Sequence, residues 1–381
     1  MNGSTLMERA VASSEDARWM EVAVALGRRG LGRTAPNPPV GAVLVAPGLS
    51  GGFVVGRGWT QPGGRPHAES RALAWAGEAA RGATLYVTLE PCSHYGRTPP
   101  CADGLIEAGV ARVVAAMADP DPRVNGRGIA RLRESGVLVS VGVGAADAAR
   151  LNAGHVARVA LGRPHVTLKL AVSPDGKAGL AGRRPVAITG EMVRARVHMM
   201  RAEADAIMVG VGTVLADDPS LTCRLPGLED RSPARVVLDA DLRTPLRARI
   251  VRTAREVPTW IVTGEDAPAD AERRLAEAGV QVMRVERCPG GRPELLPALK
   301  LLAMRGVTRL MVEGGPILAG ALLRADVVDA ATVLTGPVPL GEDAIDAVDG
   351  LPLTAITEGP RFRGVARERI GDDIWADYER A

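Results

Sequence analysis

Short apolar segments alternate with helical patterns along almost the whole sequence. In the first part, PPVGAVLVA, GFVVGRGW, ATLYVTLE, ARVVAAMAD and VLVSVGVG have the length and apolar content of strands, whereas HAESRALAWAGEAA, CADGLIEAGV and GRGIARLRESG have apolar residues at helical spacing. This alternation is typical of α/β proteins, in which helices cover a sheet. We therefore predict an α/β fold, with five strands in about the first 150 residues.

The pattern is interrupted near residue 160. Gly162 and Pro164 end a helical segment, and a strand pattern restarts at PHVTLKLAV. The later segments ADAIMVGVG, ARVVLDA, PTWIVTG, VQVMRV, TRLMVEGG and AATVLTGP also read as strands. A chain of 381 residues is long enough for two domains with separate cores. We predict one domain over residues 15–150 and a second over residues 163–381.

Composition argues against several classes of protein. Apolar residues make up 46% of the chain, but no apolar run approaches the ~20 residues that span a bilayer. The first 20 residues lack the basic head and apolar core of a secretory signal. Four cysteines are too few for a disulfide scaffold in a chain of this length. We expect a cytoplasmic protein with no membrane partner.

Charge and aromatic content do not favour a nucleic-acid-binding protein. Lys and Arg number 47 against 44 Asp and Glu, and aromatic residues make up only 3% of the chain. Proteins that bind single strands use a basic groove and aromatic side chains on which bases stack. We therefore expect a small-molecule substrate and no nucleic-acid partner.

The segment TLEPCSHYGRTPPC, residues 88–101, contains Cys92 and Cys101, and the upstream triplet HAE contains His67 and Glu69. Two thiolates and one imidazole are a zinc set that leaves the fourth position to water, and Glu69 is placed to move that water's proton. The pattern matches the zinc-deaminase signature H-x-E…P-C-x-x-C, except that eight residues separate the cysteines here. The alternatives are a structural zinc site or unrelated buried thiols. The combination of HAE, Pro-Cys and a strand end favours catalysis.

Two polar residues lie between the predicted cysteine ligands. Alone, His94 is well explained as an ordinary loop residue and Arg97 as a solvated charge. Their joint position in the ligand loop favours substrate contacts.

Motifs in the second predicted domain are weaker. VGVGTVLADDPSLT has G-x-G after a strand but no third glycine, so the dinucleotide fingerprint fails. In RLMVEGGPILAGALL a predicted strand ends at Glu313, and a Gly-Gly-Pro turn leads into a helix, an arrangement that suits a phosphate. A tight strand-to-helix turn explains the same residues, and Arg201 and Arg224 are equally explained as surface charges.

Seven segments carry a family resemblance. TAPNPPVGAVLV, PHAE, TLEPCSHYGRTPPC and ADPDPRVNGRG, within about residues 17–150, resemble the deaminase half of the bifunctional riboflavin-biosynthesis deaminase-reductases. PHVTLKLAVSPDG, MMRAEADAIMVGVGTVLADDPSLTCR and VEGGPILAGALLRADVVD, within about residues 164–340, resemble the reductase half. The resemblance implies a cytidine-deaminase-like three-layer α/β/α domain followed by a dihydrofolate-reductase-like α/β domain.

For the first domain, the resemblance implies Zn2+ bound by His67, Cys92 and Cys101, with Glu69 as the proton shuttle. The expected reaction is hydrolytic deamination of 2,5-diamino-6-(5-phosphoribosylamino)pyrimidin-4(3H)-one to 5-amino-6-(5-phosphoribosylamino)uracil. The residues implied as contacts of the pyrimidine and its ribose phosphate are Asn37, His94, Arg97 and Asp119.

For the second domain, the resemblance implies NADPH-dependent reduction of the ribosyl group to ribityl, and self-association of the chain as a homo-oligomer. The implied substrate contacts are Arg201, Leu221, Arg224 and Glu313. The implied cofactor contacts are Val172, Ala187, Thr213, Asp217, Gly315, Pro316, Ile317, Leu318, Ala319, Gly320 and Ala321.

This domain departs from the family pattern at three positions. Pro185 and Ala187 stand where the family often has Ser and Trp, and Ala240 stands where a hydroxyl is common. An alternative function is therefore a deaminase with a non-catalytic C-terminal domain. No general acid for the reduction is identifiable, since Asp175 in SPDG is equally explained as a turn residue.

Overall fold

The computed structural model describes residues 14–48, 52–96, 99–183 and 186–381. The chain divides into two compact units, one ending at Leu161 and the other beginning at Gly162. Among the described helices, none has both the length and the apolar character that crossing a bilayer requires.

The first unit is built on one sheet of five strands. The strands are β1 (Gly41–Ala46), β2 (Phe53–Trp59), β3 (Thr84–Val87), β4 (Arg112–Ala115) and β5 (Leu138–Val141). The helices are α1 (Ser14–Arg28), α2 (Ala68–Ala76), α3 (Cys101–Glu107), α4 (Arg127–Glu134), α5 (Ala145–Leu151) and α6 (Ala153–Leu161). The sheet order is β2-β1-β3-β4-β5; β1 pairs antiparallel with β2 and β3, and β3, β4 and β5 are parallel.

Both faces of this sheet are covered, which explains why its central strands are apolar at most positions. Leu85 on β3 packs on one face with Ala72 of α2 and Leu105 of α3. Tyr86, the next residue, packs on the other face with Trp19 of α1. Successive side chains of a strand point to opposite faces, so a strand between two helical layers is apolar at every position.

The second unit is built on a sheet of nine strands. The strands of this unit are β6 (His165–Val172), β7 (Lys177–Gly179), β8 (Ala206–Gly210), β9 (Ala234–Leu238), β10 (Thr259–Gly264), β11 (Gln281–Val285), β12 (Arg309–Val312), β13 (Ala330–Thr335), β14 (Ile345–Asp346), β15 (Phe362–Ile370) and β16 (Asp373–Arg380). The helices are α7 (Glu191–Glu203), α8 (Val211–Asp217), α9 (Arg249–Arg252), α10 (Ala269–Glu277), α11 (Leu295–Met304), α12 (Pro316–Arg324) and α13 (Thr354–Thr357).

The large sheet has the order β11-β10-β9-β8-β12-β6-β13-β16-β15, and β7 pairs separately with β14. Its strands are parallel from β11 to β13, and β16 and β15 complete it as antiparallel strands. The six later strands predicted from the sequence are present. The C-terminal pair β15 and β16 was not predicted: β15 is mostly exposed and lacks an apolar pattern, and charged residues are interspersed with the apolar residues of β16.

Candidate active sites

The residues of the predicted zinc site come together in the segments that follow strands β2 and β3 of the first sheet. His67 immediately precedes α2, Cys92 follows β3, and Cys101 is the first residue of α3. The Nδ1 atom of His67 lies 3.7 Å from Sγ of Cys92 and 3.4 Å from Sγ of Cys101. Among the described residues, these three are the group of ligand-type side chains whose ligand atoms converge.

The spacing of these atoms fits a tetrahedral zinc ion. Zinc–sulfur bonds of about 2.3 Å and zinc–nitrogen bonds of about 2.0 Å at tetrahedral angles place sulfur and nitrogen about 3.5 Å apart. Both measured distances are close to this value. The backbone N–H of Cys101 also donates a hydrogen bond to Sγ of Cys92 at 3.3 Å, which stabilises a thiolate there.

Electrostatics at the two cysteines differ. The pKa of the Cys92 thiol is lowered to about 4, first by a hydrogen bond from the Cys101 thiol and then, against the effect of burial, by His67. The same thiol–thiol contact, together with burial, raises the pKa of Cys101. The thiolate is the form of cysteine that binds metal, and the N–H of Cys101 and His67 both favour it at Cys92.

Glu69 lies in the first turn of α2, two residues beyond His67, and its carboxyl group interacts electrostatically with His67 and Cys101. Only 4% of its surface is exposed, and burial raises its pKa to about 7. A carboxyl group with a pKa near neutrality is suited both to accept and to donate a proton. Its position beside the ligand cluster and its altered pKa are those expected of a proton shuttle.

The predicted substrate contacts of this unit have different environments. The side-chain amide of Asn37 donates a hydrogen bond of 2.7 Å to the carbonyl of Gly64, which ties it to the loop before His67. His94 is half-buried, and its Nδ1 atom is buried without a hydrogen-bond partner among the described residues. Asp119 is buried in the loop after β4. Arg97 lies outside the described residues.

Glu90, which the sequence analysis did not single out, joins the two loops of the site. Its buried carboxylate accepts hydrogen bonds from the backbone N–H groups of Asp119 at 3.1 Å, Gly126 at 2.9 Å, Gly128 at 2.9 Å and Ile129 at 3.2 Å. Because Glu90 lies two residues before Cys92, the loop after β4 is fixed relative to the cysteine loop. A carboxylate directly before Pro-Cys was the only signal in the sequence.

We expect Glu90→Ala to destabilise the loop after β4 and the start of α4. It leaves buried N–H groups without an acceptor, at a cost of roughly 3 kcal/mol or more. Amide hydrogen exchange over residues 119–129 should therefore accelerate, whereas Glu90→Gln, which keeps one oxygen acceptor, should have a smaller effect. Unchanged exchange in Glu90→Ala would show that these bonds do not hold the loop.

In the second unit, two predicted substrate contacts form an ion pair that is largely shielded from solvent. Arg201 on α7 donates from Nε to Oε1 of Glu313 at 2.7 Å and from Nη2 to Oε2 at 2.9 Å. Glu313 directly follows β12, so the pair lies where that strand ends. Arg201 also donates to the carbonyl of Thr222 at 3.1 Å, which holds the segment containing Leu221 and Arg224.

A second cation, missed in the sequence, lies beside this pair. Nζ of Lys169 on β6 is 3.9 Å from Oε2 of Glu313, and burial lowers the pKa of Lys169. Burial alone would raise the pKa of Glu313, but Lys169 and Arg201 hold it below its ordinary value. The signal in the sequence was a lysine within the predicted strand segment PHVTLKLAV.

The other two predicted substrate contacts lie in one short segment. Leu221 is buried and has a φ of 54°, a left-handed conformation uncommon for leucine. Arg224 is exposed, and its backbone N–H donates to Nδ1 of His198 on α7 at 3.2 Å. Arg201 and His198 thus attach this segment to α7.

The predicted cofactor residues fall into two groups. Gly315 caps the N-terminus of α12 and faces Thr213 of α8, since a Cβ atom at Gly315 would lie 3.7 Å from the Thr213 hydroxyl. Pro316 and Ala321 are half-buried, and Ile317, Asp217 and Ala187 are exposed. The side chains that belong instead to the buried core are those of Val172, Leu318 and Ala319. Gly320 allows close packing, because a Cβ atom there would lie 2.2 Å from the carbonyl of Asp349.

The structure gives the surroundings of two of the remaining positions discussed in the sequence analysis, Ala240 and Asp175. Pro185 lies outside the described residues. Ala240 contributes its carbonyl, which accepts hydrogen bonds from the Thr263 hydroxyl and from Arg287, both at 2.9 Å. The carboxylate of Asp175 accepts hydrogen bonds from the backbone N–H groups of Leu340 and Gly341, so it joins two turns.

Two family models match this chain. The cytidine and deoxycytidylate deaminase zinc-binding region matches residues 13–117, and the RibD C-terminal domain matches residues 164–376. Among curated proteins, the riboflavin biosynthesis protein RibD of Escherichia coli is 41% identical over 372 residues, covering 94% of this chain and 98% of that protein. The RibD protein of Aquifex aeolicus is 39% identical over 365 residues, covering 96% and 98%.

Solved structures show the same likeness. RibD of Acinetobacter baumannii superposes with a TM-score of 0.84 at 34% identity, covering 96% of this chain and 99% of that chain. A diaminohydroxyphosphoribosylaminopyrimidine deaminase/5-amino-6-(5-phosphoribosylamino)uracil reductase from Thermotoga maritima superposes with a TM-score of 0.82 at 32% identity, with the same coverage.

Proposed function

The chain belongs to the RibD family of riboflavin-biosynthesis proteins, and on this premise we propose which of its residues carry out the two reactions. It is a bifunctional enzyme, a zinc-dependent pyrimidine deaminase and an NADPH-dependent reductase, with the predicted cytidine-deaminase-like and dihydrofolate-reductase-like domains. Its substrate is a small molecule, and nothing favours the deaminase-only alternative. A cytoplasmic location, a homo-oligomer and the absence of nucleic-acid binding stay predictions.

The proposal for deamination rests on the convergence of His67, Cys92 and Cys101 beside the buried Glu69. We assign the first three as the ligands of zinc, which when bound supplies a Lewis acid that lowers the pKa of water toward about 7. Glu69 accepts the proton of the attacking water and donates it to the pyrimidine, from which the exocyclic amine leaves as ammonia. Asn37, His94, Arg97 and Asp119 are assigned as substrate contacts.

The proposal for reduction rests on the cluster of Arg201, Glu313 and Lys169. When bound, NADPH would supply the hydride for reduction of the sugar carbon. A proton must reach the sugar oxygen to balance it, and we assign Lys169 as the donor because burial lowers its pKa and makes the ammonium group a stronger acid. We assign the substrate contacts to Arg201, Glu313, Leu221 and Arg224. We assign the cofactor contacts to Thr213, Asp217 and the start of α12.

The full chain should be assayed with the diaminopyrimidine substrate, following ammonia release and NADPH oxidation separately. We expect a zinc chelator to abolish ammonia release, because zinc ligation is needed for deamination. The chelator should not affect NADPH oxidation with the already deaminated aminouracil as substrate. Ammonia release that survives metal removal would contradict the zinc assignment. Ammonia release without NADPH oxidation would contradict the reductase assignments.

A further inference from the structure

A buried histidine contacts one of the assigned substrate residues of the deaminase. His155 lies on α6, and its Nε2 atom is 2.9 Å from Oδ1 of Asp119. The side chains of both residues are less than a tenth exposed. His155 is 36 positions from Asp119 in the sequence, and it lies outside the motifs that the sequence analysis identified.

Asp119 is held in one orientation by several contacts. Its backbone N–H is bound to Glu90, and its Oδ1 atom accepts hydrogen bonds both from the backbone N–H of Asp121 at 2.9 Å and from His155. Among the described residues, both hydrogen bonds of the Asp119 carboxylate are therefore made by Oδ1, and Oδ2 is left available. A carboxylate held in this way has one oxygen fixed by the protein and one free for a ligand.

The histidine has a defined role in this arrangement. Its Nδ1 atom is buried and has no hydrogen-bond partner within the described residues. A proton on Nε2 fits this arrangement, because Nε2 then donates to the Asp119 carboxylate. The neighbouring carboxylate of Asp121 is engaged by the Arg123 guanidinium at 2.6 Å, so it does not compete for His155.

We propose that His155 is a positioning residue of the deaminase, which holds the Asp119 carboxylate so that Oδ2 accepts a hydrogen bond from an N–H or O–H group of the substrate. This inference rests on the proposed role of Asp119 as a substrate contact. A carboxylate repels a phosphate group, so the group that Asp119 recognises is an amine of the pyrimidine or a hydroxyl of the ribose.

The test compares three substitutions in the full chain, measuring kcat and KM for ammonia release. His155→Leu removes the donor, and we expect it to raise KM about tenfold while kcat changes less than about threefold, as for loss of a hydrogen bond that orients a charged group. His155→Asn cannot reach Asp119 from the Nε2 position and should behave like His155→Leu. His155→Gln keeps a donor close to the Nε2 position and should remain within about threefold of the unmodified enzyme.

Two controls separate positioning from a structural role. Zinc content reports whether the first unit of each variant is correctly folded, and NADPH oxidation with the deaminated substrate reports the same for the second unit. In an Asp119→Ala background, His155→Leu should cause no further rise in KM, because the carboxylate that it orients is gone.

The proposal is overturned if His155→Leu and His155→Asn leave KM unchanged, or if His155→Gln is impaired as much as they are. It is equally overturned if His155→Leu adds its full effect to that of Asp119→Ala, or lowers kcat alone. Failure of the unmodified protein to release ammonia would instead refute the proposed function itself, so the two failures are distinguishable.

Discussion

Glu69→Gln is expected to abolish deamination while zinc stays bound and reduction continues. Glutamine has nearly the same shape as glutamate but cannot carry a proton between water and the pyrimidine, and loss of such a general acid–base group lowers kcat by about 10²- to 10⁴-fold. Glu69 is not among the three converging ligand residues, so metal binding should persist. Ammonia release, metal content and NADPH oxidation with the deaminated substrate would be measured on the same preparation.

A matched control is Glu78→Gln, which makes the same chemical change at an exposed position just after α2. We expect this variant to deaminate at the normal rate. Near-normal turnover by Glu69→Gln would remove its assignment as the proton shuttle, whereas loss of zinc would show that Glu69 supports the ligand set instead.

Glu313→Ala is expected to abolish reduction and to destabilise the second unit by about 3–5 kcal/mol. The substitution leaves the largely buried side chains of Arg201 and Lys169 without the carboxylate that compensates their charges. The free energy of unfolding would be measured in urea, and NADPH oxidation would be measured with the deaminated substrate. Ammonia release should be retained, because Glu313 belongs to the other unit.

The comparison for this prediction is Glu368→Ala, which breaks an exposed ion pair with Arg196 in the same unit. Exposed pairs contribute about 1 kcal/mol or less, so this variant should remain stable and active. If Glu313→Ala is no less stable than Glu368→Ala, the buried cluster does not stabilise the unit. If it still oxidises NADPH at the normal rate, the cluster is not part of the reductase site.

Much of the architecture could be predicted because the strands at the centre of both sheets are buried on two faces. Segments such as β3 and β8 are apolar at nearly every position and stand out between helical patterns. The pair β15 and β16 escaped prediction for the opposite reason. At the edge of the large sheet, β15 is solvated along most of its length, so polar residues are tolerated and its backbone pairing has no apolar signature.

The residues proposed as zinc ligands could be singled out because each lies at a local feature: His67 before a helix, Cys92 after a strand, and Cys101 at the start of a helix. Their convergence in the structure agrees with that prediction, while the assigned roles of the individual residues stay open to experiment.

The sequence by itself determined the α/β class, the two-part organisation and the residues that converge at the zinc site, because these follow from local apolar patterns and short motifs. Only the tertiary structure decided the contacts between Lys169 and Glu313 and between His155 and Asp119. Each of these side chains has a partner on a distant segment, and the order of strands in the sheet decides which segments meet. The sequence shows that a residue is polar; the folded chain determines which charge or hydrogen bond compensates its burial.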